Sequence, residues 1–243
     1  MSLNIAVDGP AGAGKSTIAK LVAKKQNLIY VDTGAMYRAM ALLMIRNGVD
    51  LKDTDRIISL AETADISIAY ENGEQVVLLN GENVNGYLRT EAVGNAASAV
   101  SAIGAVRKKL VQLQQQLAVK SDCIMDGRDI GTCVLPDASC KIYLTASSAV
   151  RAKRRFEELT AKGEKCDYDK ILADIEERDY RDMHREISPL KQAPDAILVD
   201  SSDMTIEEVV DRIIELSCGK WSESERISGW KLSWQDAQAS ALV

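Results

Sequence analysis

A glycine-rich segment near the start of the chain, Gly9 to Thr17, constrains the fold more than any other feature. It follows an apolar run from Leu3 to Val7 and leads into helix-forming residues that begin at Lys15. Strand, loop and helix in this order are the context that the phosphate-binding spacing G-x-x-x-x-G-K-[ST] requires. The segment therefore predicts a nucleoside triphosphate site on an α/β sheet.

The residue types of this loop suit a grip on a triphosphate. Glycines let successive backbone N–H groups turn inward around the phosphates, the Lys15 ammonium reaches the β and γ oxygens, and the Ser16 hydroxyl is a ligand for Mg²⁺ together with waters. The following helix points its N-terminus at the same anion. A glycine-rich turn that matches the pattern by chance is the alternative. The residues assigned to ATP are Gly9, Pro10, Ala11, Gly12, Ala13, Gly14, Lys15, Ser16 and Thr17.

Composition favours one compact α/β domain with small inserts over two full domains, because 243 residues are 46% hydrophobic and 27% charged. The net charge of -6 argues against a nucleic-acid polymer as partner and favours free nucleotides. Five cysteines without a C-x-x-C pair indicate neither a disulfide framework nor a zinc site. No apolar run approaches the roughly 18 residues that span a membrane, and no secretory pattern precedes the first strand. We therefore expect a cytoplasmic protein without a membrane partner.

Apolar runs and helical patterns alternate along most of the chain, which predicts a doubly wound parallel sheet of about five strands of the P-loop NTPase type. Ligands bind at the carboxyl ends of the strands in such a sheet. The predicted strands are Leu3 to Val7, Leu28 to Val31, Cys123 to Met125, Ile142 to Leu144 and Ala196 to Val199. The predicted helices are Lys15 to Lys25, Ala35 to Arg46, Gly104 to Lys120, Ser147 to Lys162, Tyr168 to Arg185 and Ile206 to Leu216, the last with Thr205 as N-cap.

Two segments depart from this alternation. Ile66 to Tyr70 and Gln75 to Asn80 alternate apolar and polar residues around a turn, which predicts a small antiparallel insert at about 60–100. The tail 219–243 contains all three tryptophans and shows neither pattern. It is expected to be an appendage of a 1–218 domain; disorder, docking on its own domain and contact with another chain all stay open.

Charged residues follow the second and third predicted strands. Asp32 and Thr33 precede Tyr37 and Arg38, and an arginine in the first turn of a helix is unfavourable against the dipole, which favours a role for Arg38 in binding an anion. After the third strand, Asp126, Arg128 and Asp129 place three charges within four residues, next to Gly127 and Gly131. A carboxylate there suits hydrated Mg²⁺ and the other two side chains suit a ligand, although an internal Arg–Asp pair that braces the loop is an alternative.

Arginines recur along two predicted helices at spacings that place each set on one face. The sets are Arg151, Arg154 and Arg155, and then Arg178, Arg181 and Arg185 with Asp179 and Asp182 between them. Solvated stripes are the plain interpretation. Because the stripes flank the polar connection 161–165, the functional interpretation is an arginine-lined lid at about 155–180. Transfer of a γ-phosphoryl group needs such positive charge. His184, the only histidine, is expected at the surface, since an ionised phosphate acceptor needs no general base.

These residues resemble the bacterial cytidylate kinases, a family of nucleoside monophosphate kinases, over about residues 3–216. The resemblance implies phosphorylation of CMP or dCMP by ATP with Mg²⁺, in an enzyme that we expect to be a monomer. The matching motifs are Gly9 to Thr17, Asp32 to Arg38, Asn95 to Ser98, Val106-Arg107, Asp126 to Thr132, Arg151 to Arg155, Glu177 to Asp179 with Asp182 and Arg185, Pro189-Leu190, and Asp200 to Ser202.

The resemblance also implies roles for individual residues. Ser98, Arg107 and Asp129 would read the cytosine edge, Arg38 and Arg128 would hold the CMP phosphate, and Thr33, Arg178, Asp182 and Arg185 would surround the sugar and phosphates. Tyr37 and Asp126 are assigned to the CMP side as well, and Arg151 and Arg155 to the ATP side. The groups assigned to catalysis are Lys15, Arg128, Arg155, Arg178 and Arg185. Thr33 stands where some relatives have serine.

Two other functions fit a phosphate-binding loop. A GTP-binding switch protein is disfavoured because the chain has no N-K-x-D motif for reading guanine. A kinase for another small molecule on the same scaffold remains open, because specificity depends on a few side chains rather than on the fold.

Overall fold

The computed structural model describes residues 3–71 and 73–218, so the predictions for the tail 219–243 lie outside the described residues. The described backbone divides into two compact units, one formed by 3–29 with 123–218 and one by 30–122 without residue 72. No helix in these ranges is both long and apolar enough to cross a membrane. In chain order the elements are β1 (Asn4–Asp8), α1 (Lys15–Gln26), β2 (Ile29–Asp32), α2 (Thr33–Arg46), α3 (Thr54–Thr63), β3 (Ile66–Glu71), β4 (Glu74–Leu79), β5 (Glu82–Asn83), α4 (Glu91–Val100), α5 (Gly104–Lys120), β6 (Cys123–Gly127), β7 (Cys140–Thr145), α6 (Ser148–Ala161), α7 (Tyr168–His184), β8 (Ile197–Asp200) and α8 (Ile206–Cys218).

The larger sheet has five strands in the order β2-β6-β1-β7-β8 and confirms the predicted fold class. The central strand β1 runs parallel to β6 and β7, so that Asp8 lies beside Gly127 on one side and Tyr143 on the other. Ile5, Val7 and most of the residues facing them are fully buried, as expected of strands covered on both faces. The carboxyl ends of β1, β6 and β7 therefore meet at one edge of the sheet.

The turn from β1 into α1 explains the first glycine of the loop. Gly9 has φ +149, and a Cβ atom there would overlap the carbonyl oxygen of Leu144 on β7, so no other residue fits. Gly14 enters α1 in the left-handed region with φ 83, and Asn27 ends the helix in the same region with φ 54. The backbone thus bends sharply enough for the start of α1 to face the sheet edge.

The second unit contains the predicted antiparallel strands. β3 pairs with β4 from Ile66 opposite Leu79 to Glu71 opposite Glu74, and β5 adds a short third strand. Helix α2 packs against α4 and β4 through its buried face. The methionines at 36, 40 and 44, spaced four apart, are fully buried along that face.

Two helices of this unit, α3 and α4, were not predicted. Each begins at a capping side chain: Asp53 accepts a hydrogen bond from the backbone N–H of Arg56, and Thr90 accepts one from that of Val93. Their apolar pattern is weak because α3 buries only Ile57 and Ala61, and α4 is built from small residues. Packing on neighbouring helices stabilises them, and a local pattern does not show that packing.

The remaining helices follow the prediction within two residues, and the largest differences are the start of α2 and the end of α8, each displaced by two residues. Helix α2 begins at Thr33 rather than Ala35 because the Asp32 carboxylate accepts a hydrogen bond from the backbone N–H of Ala35. The predicted cap of α8 is confirmed: the Thr205 hydroxyl accepts from the Glu208 N–H, and the Glu208 carboxylate accepts from the Thr205 N–H.

Candidate active site

The lysine of the phosphate-binding loop is almost completely buried. Lys15 is the first residue of α1, its exposed fraction is 5%, and its Nζ atom donates a hydrogen bond to the carbonyl oxygen of Pro10 at 2.7 Å. The ammonium is therefore held against its own loop, directly beside the N-terminus of the helix. Both features favour the binding of an anion at this point.

Burial lowers the pKa of Lys15 well below its usual value, and the positive charge of Arg128 lowers it further. The carboxylates of Asp126, Asp8 and Asp182 act in the opposite direction. A desolvated ammonium among opposing charges is poised to gain stability when a polyanion arrives, because the anion adds negative charge where water is excluded.

The neighbouring residue Ser16 joins the loop to the end of β6. Its hydroxyl donates a hydrogen bond to Oδ2 of Asp126 at 2.8 Å. A hydroxyl and a carboxylate oxygen beside a triphosphate loop are hard oxygen ligands of the kind that Mg²⁺ prefers. The residues present therefore fit the ion that the sequence predicted for Ser16.

The loop after β6 is tied to α7 by two ion pairs. Arg128 donates from Nε to Oδ2 of Asp182 at 2.8 Å, and a nitrogen of Arg185 lies 3.7 Å from Oδ1 of Asp129. The arginine of the loop thus pairs with another element, not with a carboxylate of its own loop. Four of the residues assigned to CMP come together here.

The charge of Asp182 is stabilised within this group. Burial by itself would raise its pKa, but the charge and hydrogen bond of Arg128, with Arg178 and Arg185 nearby, hold the pKa below its usual value. Three guanidinium groups thus surround one carboxylate, which leaves an excess of positive charge. Such a cluster suits a bound phosphate.

Arg151 on α6 contacts the backbone of the phosphate-binding loop. Its Nη1 atom donates to the carbonyl oxygen of Ala11 at 2.9 Å, Nε donates to that of Ala146 at 2.8 Å, and Nη2 pairs with Asp179 of α7. Its exposed fraction is 5%. The predicted assignment of Arg151 to the ATP side is therefore accompanied by a bracing role on the loop itself.

The other arginines of the two stripes lie farther out. Arg154 donates to the backbone oxygen of Ser201, and Arg155 pairs with Glu158 with half of its side chain exposed. Arg178 is exposed on α7, and its positive charge helps to lower the pKa of Asp182. The structure brings neither Arg154 nor Arg155 to the described ion pairs of the site.

His184 is exposed, as predicted from the sequence. Its ring stacks on that of Tyr180 at 4.0 Å between centroids, and its Nδ1 atom lies 2.8 Å from the Tyr180 carbonyl oxygen. A general-base role finds no support in these contacts.

Within the second unit, Asp32 organises the predicted anion-binding residues at the start of α2. Its carboxylate accepts hydrogen bonds from Nη2 of Arg38 at 3.0 and 3.1 Å and from Nη2 of Arg89 at 3.3 Å. The side chain of Gln75 on β4 bonds to the backbone N–H and carbonyl of Asp32. One carboxylate therefore orients two guanidinium groups.

Arg107 and Tyr37 also meet in this unit. The guanidinium of Arg107 lies 5.5 Å from the ring centroid of Tyr37 and donates to the carbonyl oxygen of Ser101. Thr33 is buried as the first residue of α2, and Ser98 is half-buried on α4. Thr33, Tyr37 and Arg38 thus lie on α2, Ser98 on α4 and Arg107 on α5, all within the second unit.

Comparison with known proteins gives the family. The model of the family described as cytidylate kinase matches residues 5–218. The chain belongs to the cytidylate kinase family. It is accordingly a kinase that binds nucleotides, and the resemblance stated from the motifs is confirmed.

Curated relatives named cytidylate kinase match most of the chain. One from Caldicellulosiruptor saccharolyticus is 52% identical over 88% of this chain and 95% of the relative. Another from Clostridium acetobutylicum is 51% identical over 88% of this chain and 97% of the relative. Among solved structures, a shikimate kinase from Bacteroides thetaiotaomicron is similar at a TM-score of 0.46 with 14% identity, covering 88% of this chain and 97% of that one.

Three residues of this cytidylate kinase family member form contacts that were not predicted from the sequence, although Asp179 was named there among the arginines of the second set. They are Asp8 at the end of β1, Asp179 as the partner of Arg151, and Arg89 as the second partner of Asp32. Asp8 had a signal, since a carboxylate ending an apolar central strand is costly without partners. Arg89 had none, because its pairing depends on the fold of the second unit.

Proposed function

We propose that this chain transfers the γ-phosphoryl group of ATP to CMP or dCMP, which yields ADP with CDP or dCDP. The observation that carries the proposal is the cluster at the end of β1 and β6, where buried Lys15 lies in the field of Arg128 and the carboxylates of Asp126 and Asp182. In a member of the cytidylate kinase family, this cluster is the natural place for phosphoryl transfer. Positioning and charge stabilisation supply most of the catalysis in such a reaction.

On the ATP side, the backbone N–H groups of the loop Gly9 to Thr17 bind the phosphates, and Lys15 stabilises the charge that develops on the transferred group. Ser16 and Asp126 would hold Mg²⁺, since their oxygens already lie within hydrogen-bond distance of each other. When bound, the ion neutralises charge on the β- and γ-phosphates. Arg151 acts on this side through the backbone of Ala11.

On the acceptor side, Arg128 holds the phosphate of CMP, and Arg178, Asp182 and Arg185 surround the sugar and phosphates. Asp129 accepts a hydrogen bond from the N4 amino group of cytosine, an interaction that uracil does not offer. The phosphate of CMP attacks as an ionised group and needs no general base, so His184 has no role in the transfer. Arg155 completes the transferred phosphate's positive surroundings when the segment at about 155–180 acts as a lid.

The residues of the second unit keep the assignment to CMP that the resemblance implies: Thr33, Tyr37, Arg38, Ser98 and Arg107. The contact of Arg38 with Asp32 supports this assignment, because a guanidinium held by one carboxylate is pre-oriented and loses less entropy on binding a phosphate. The stacking of Arg107 on Tyr37 orients a second guanidinium in the same way.

We further propose the organisation of the whole chain. Residues 1–218 act as a single nucleoside monophosphate kinase domain, in which about 60–100 are the monophosphate-binding insert and 219–243 are an appendage. The protein works as a monomer in the cytoplasm, and its partners are free nucleotides rather than nucleic-acid polymers. The acidic net charge of -6 supports this choice of partner.

A coupled assay of ADP formation tests the proposed function. The purified chain is given ATP and Mg²⁺ with CMP, dCMP, UMP, AMP or shikimate as acceptor, and the products are identified by chromatography. We expect turnover with CMP and dCMP well above that with AMP or shikimate, and none in the absence of an acceptor. Preferred turnover of shikimate, or tight GTP binding with no effect of CMP on ATP turnover, would refute the proposal.

A further inference from the structure

The carboxylate of Asp8 accepts hydrogen bonds from the backbone of the loop that follows β6. Its Oδ1 atom accepts a hydrogen bond from the N–H of Ile130 at 2.8 Å, and its Oδ2 atom accepts one from the N–H of Gly131 at 2.7 Å. These are the first two residues of a π-helical turn, Ile130–Val134, whose first amides have no cap from the preceding Asp129 side chain. Asp8, the last residue of β1, therefore caps this turn, which follows β6.

The two oxygens of Asp8 place the residues immediately before the turn. Asp129 and Arg128 lie one and two residues before Ile130, the first of the two bonded residues, so a shift of the turn moves both side chains. Turns of this π-helical kind occur frequently at functional sites, where they aim side chains in directions that an α-helix does not allow. The exposed fraction of Asp8 is 4%, so its carboxylate is held in the interior of the protein.

We infer that Asp8 is a positioning residue for the acceptor nucleotide: by holding the amides of Ile130 and Gly131, it sets the places of Arg128 and Asp129. The inference rests on the proposed function, in which those two side chains bind the phosphate and the base of CMP. Asp8 itself contacts neither nucleotide. It acts through the loop after β6.

The energetic cost of this carboxylate supports a specific role. Burial raises the pKa of Asp8 to about 6 in spite of its two backbone hydrogen bonds, with Asp129 adding to the rise and Lys15 opposing it. An apolar residue at the end of β1 would avoid that cost. Only a carboxylate offers two acceptor atoms to two successive amides, because the side chain of asparagine has one acceptor and one donor.

Two substitutions break the same contact from opposite sides. Asp8→Asn removes one acceptor and the charge. Gly131→Ala keeps the charge, but its Cβ atom would lie 3.3 Å from Oδ2 of Asp8 and 3.2 Å from the side chain of Lys141, which is held by Asp195. Residue 131 or one of these two side chains must then shift by a few tenths of an ångström, which disturbs the contact between Asp8 and the amide.

We expect both variants to raise KM for CMP and to lower the CMP over UMP preference in kcat/KM, each by roughly tenfold, while KM for ATP changes by less than about twofold. The control is Asp53→Asn, which removes the charge of an exposed carboxylate that caps α3 and should leave all three quantities unchanged. Thermal unfolding shows whether each variant is folded. If Asp8→Asn does not fold, Gly131→Ala decides by the same criteria.

A purely electrostatic action of Asp8 on Lys15 gives a different pattern. Asp8→Asn would then change KM for ATP or lower kcat equally for CMP and UMP, and Gly131→Ala would behave as wild type, which would overturn the inference. Asp129→Ala is measured in parallel. If it abolishes the preference for CMP while both positioning variants retain it, the inference fails and the proposed function stands; if the unmodified chain does not phosphorylate CMP, the proposed function itself fails.

Discussion

Arg151 and Asp179 form a buried ion pair that links the two helices α6 and α7 beside the phosphate-binding loop. Nη2 of Arg151 lies 2.6 Å from Oδ2 of Asp179, and the exposed fractions of the two side chains are 5% and 13%. The same guanidinium donates to the carbonyl oxygen of Ala11 in the loop. A single side chain thus connects the loop that we assign to ATP with the helix that carries Asp182 and His184.

Replacing one partner of this pair is expected to destabilise the protein. Arg151→Met leaves the Asp179 carboxylate buried without its cation, which costs about 3 kcal/mol in the free energy of unfolding. KM for ATP should also rise, since Ala11 loses its donor. Urea unfolding followed by circular dichroism and steady-state kinetics measure the two effects. The matched control is Arg212→Met, whose exposed pair with Glu215 contributes less than about 0.5 kcal/mol, and equal losses in the two variants would contradict the buried pair's importance.

Lys15→Met should lower kcat by at least about 10²-fold, because it removes a charge needed mainly in the transition state. The fold should remain intact, since burial already disfavours the charged form and methionine fills a similar volume. Turnover with CMP and thermal unfolding are measured beside Lys24→Met, an exposed lysine in the last turn of the same helix. Unchanged turnover in Lys15→Met would reject the assigned role.

Asp129→Ala should reduce kcat/KM for CMP more than for UMP, by roughly tenfold, because only cytosine offers an amino donor to the carboxylate. The variant also frees Arg185 from its pair, and that change affects both substrates alike. The ratio of the two kcat/KM values therefore isolates base reading. Asp137→Ala, an exposed carboxylate in the connection to β7, is the control. Equal losses for CMP and UMP would show that Asp129 does not read the base.

The stability of the protein should depend on pH through Asp8. Because its pKa is raised from 3.8 to about 6 on folding, the folded state binds this proton more tightly than the unfolded state. The resulting stabilisation is fully present below pH 3.8 and is lost as the pH rises through about 6, with a total of about 3 kcal/mol.

Asparagine at position 8 does not titrate. The free energy of unfolding of wild type minus that of Asp8→Asn should accordingly fall between pH 4 and pH 7, as measured by urea titration at dilute protein concentration. Neighbouring Asp129, Lys15 and Tyr143 are present in both proteins. A difference that stays constant across this range would show that the pKa of Asp8 is not raised.

Local patterns predicted most of the elements of this fold. The helix Gly104–Lys120 has the predicted bounds because a long helical pattern ends at clear signals, and each strand of the larger sheet lies on a predicted apolar run. Helices α3 and α4 were missed because small or polar residues supply most of their surface. Their stability comes from neighbours that are distant in sequence.

The candidate site was predicted in part. Lys15, Ser16, Arg128 and Asp182 were each assigned from spacing and from the resemblance, and the structure brings them into one cluster. Arg155 was assigned on the same grounds but pairs with Glu158 near the surface. Helical spacing indicates which residues share a face, but it does not indicate what that face meets.

By itself, the sequence determined the local features of the protein. These are a phosphate-binding loop between a strand and a helix, a parallel sheet, and arginines at helical spacing. These features depend on residues within about one turn or one strand of each other, where steric and hydrogen-bonding rules act directly. Only the tertiary structure decided which charges meet. Asp8 holds an amide 122 residues away and Arg151 a carbonyl 140 residues away, because the order of strands in the sheet brings those segments to one edge.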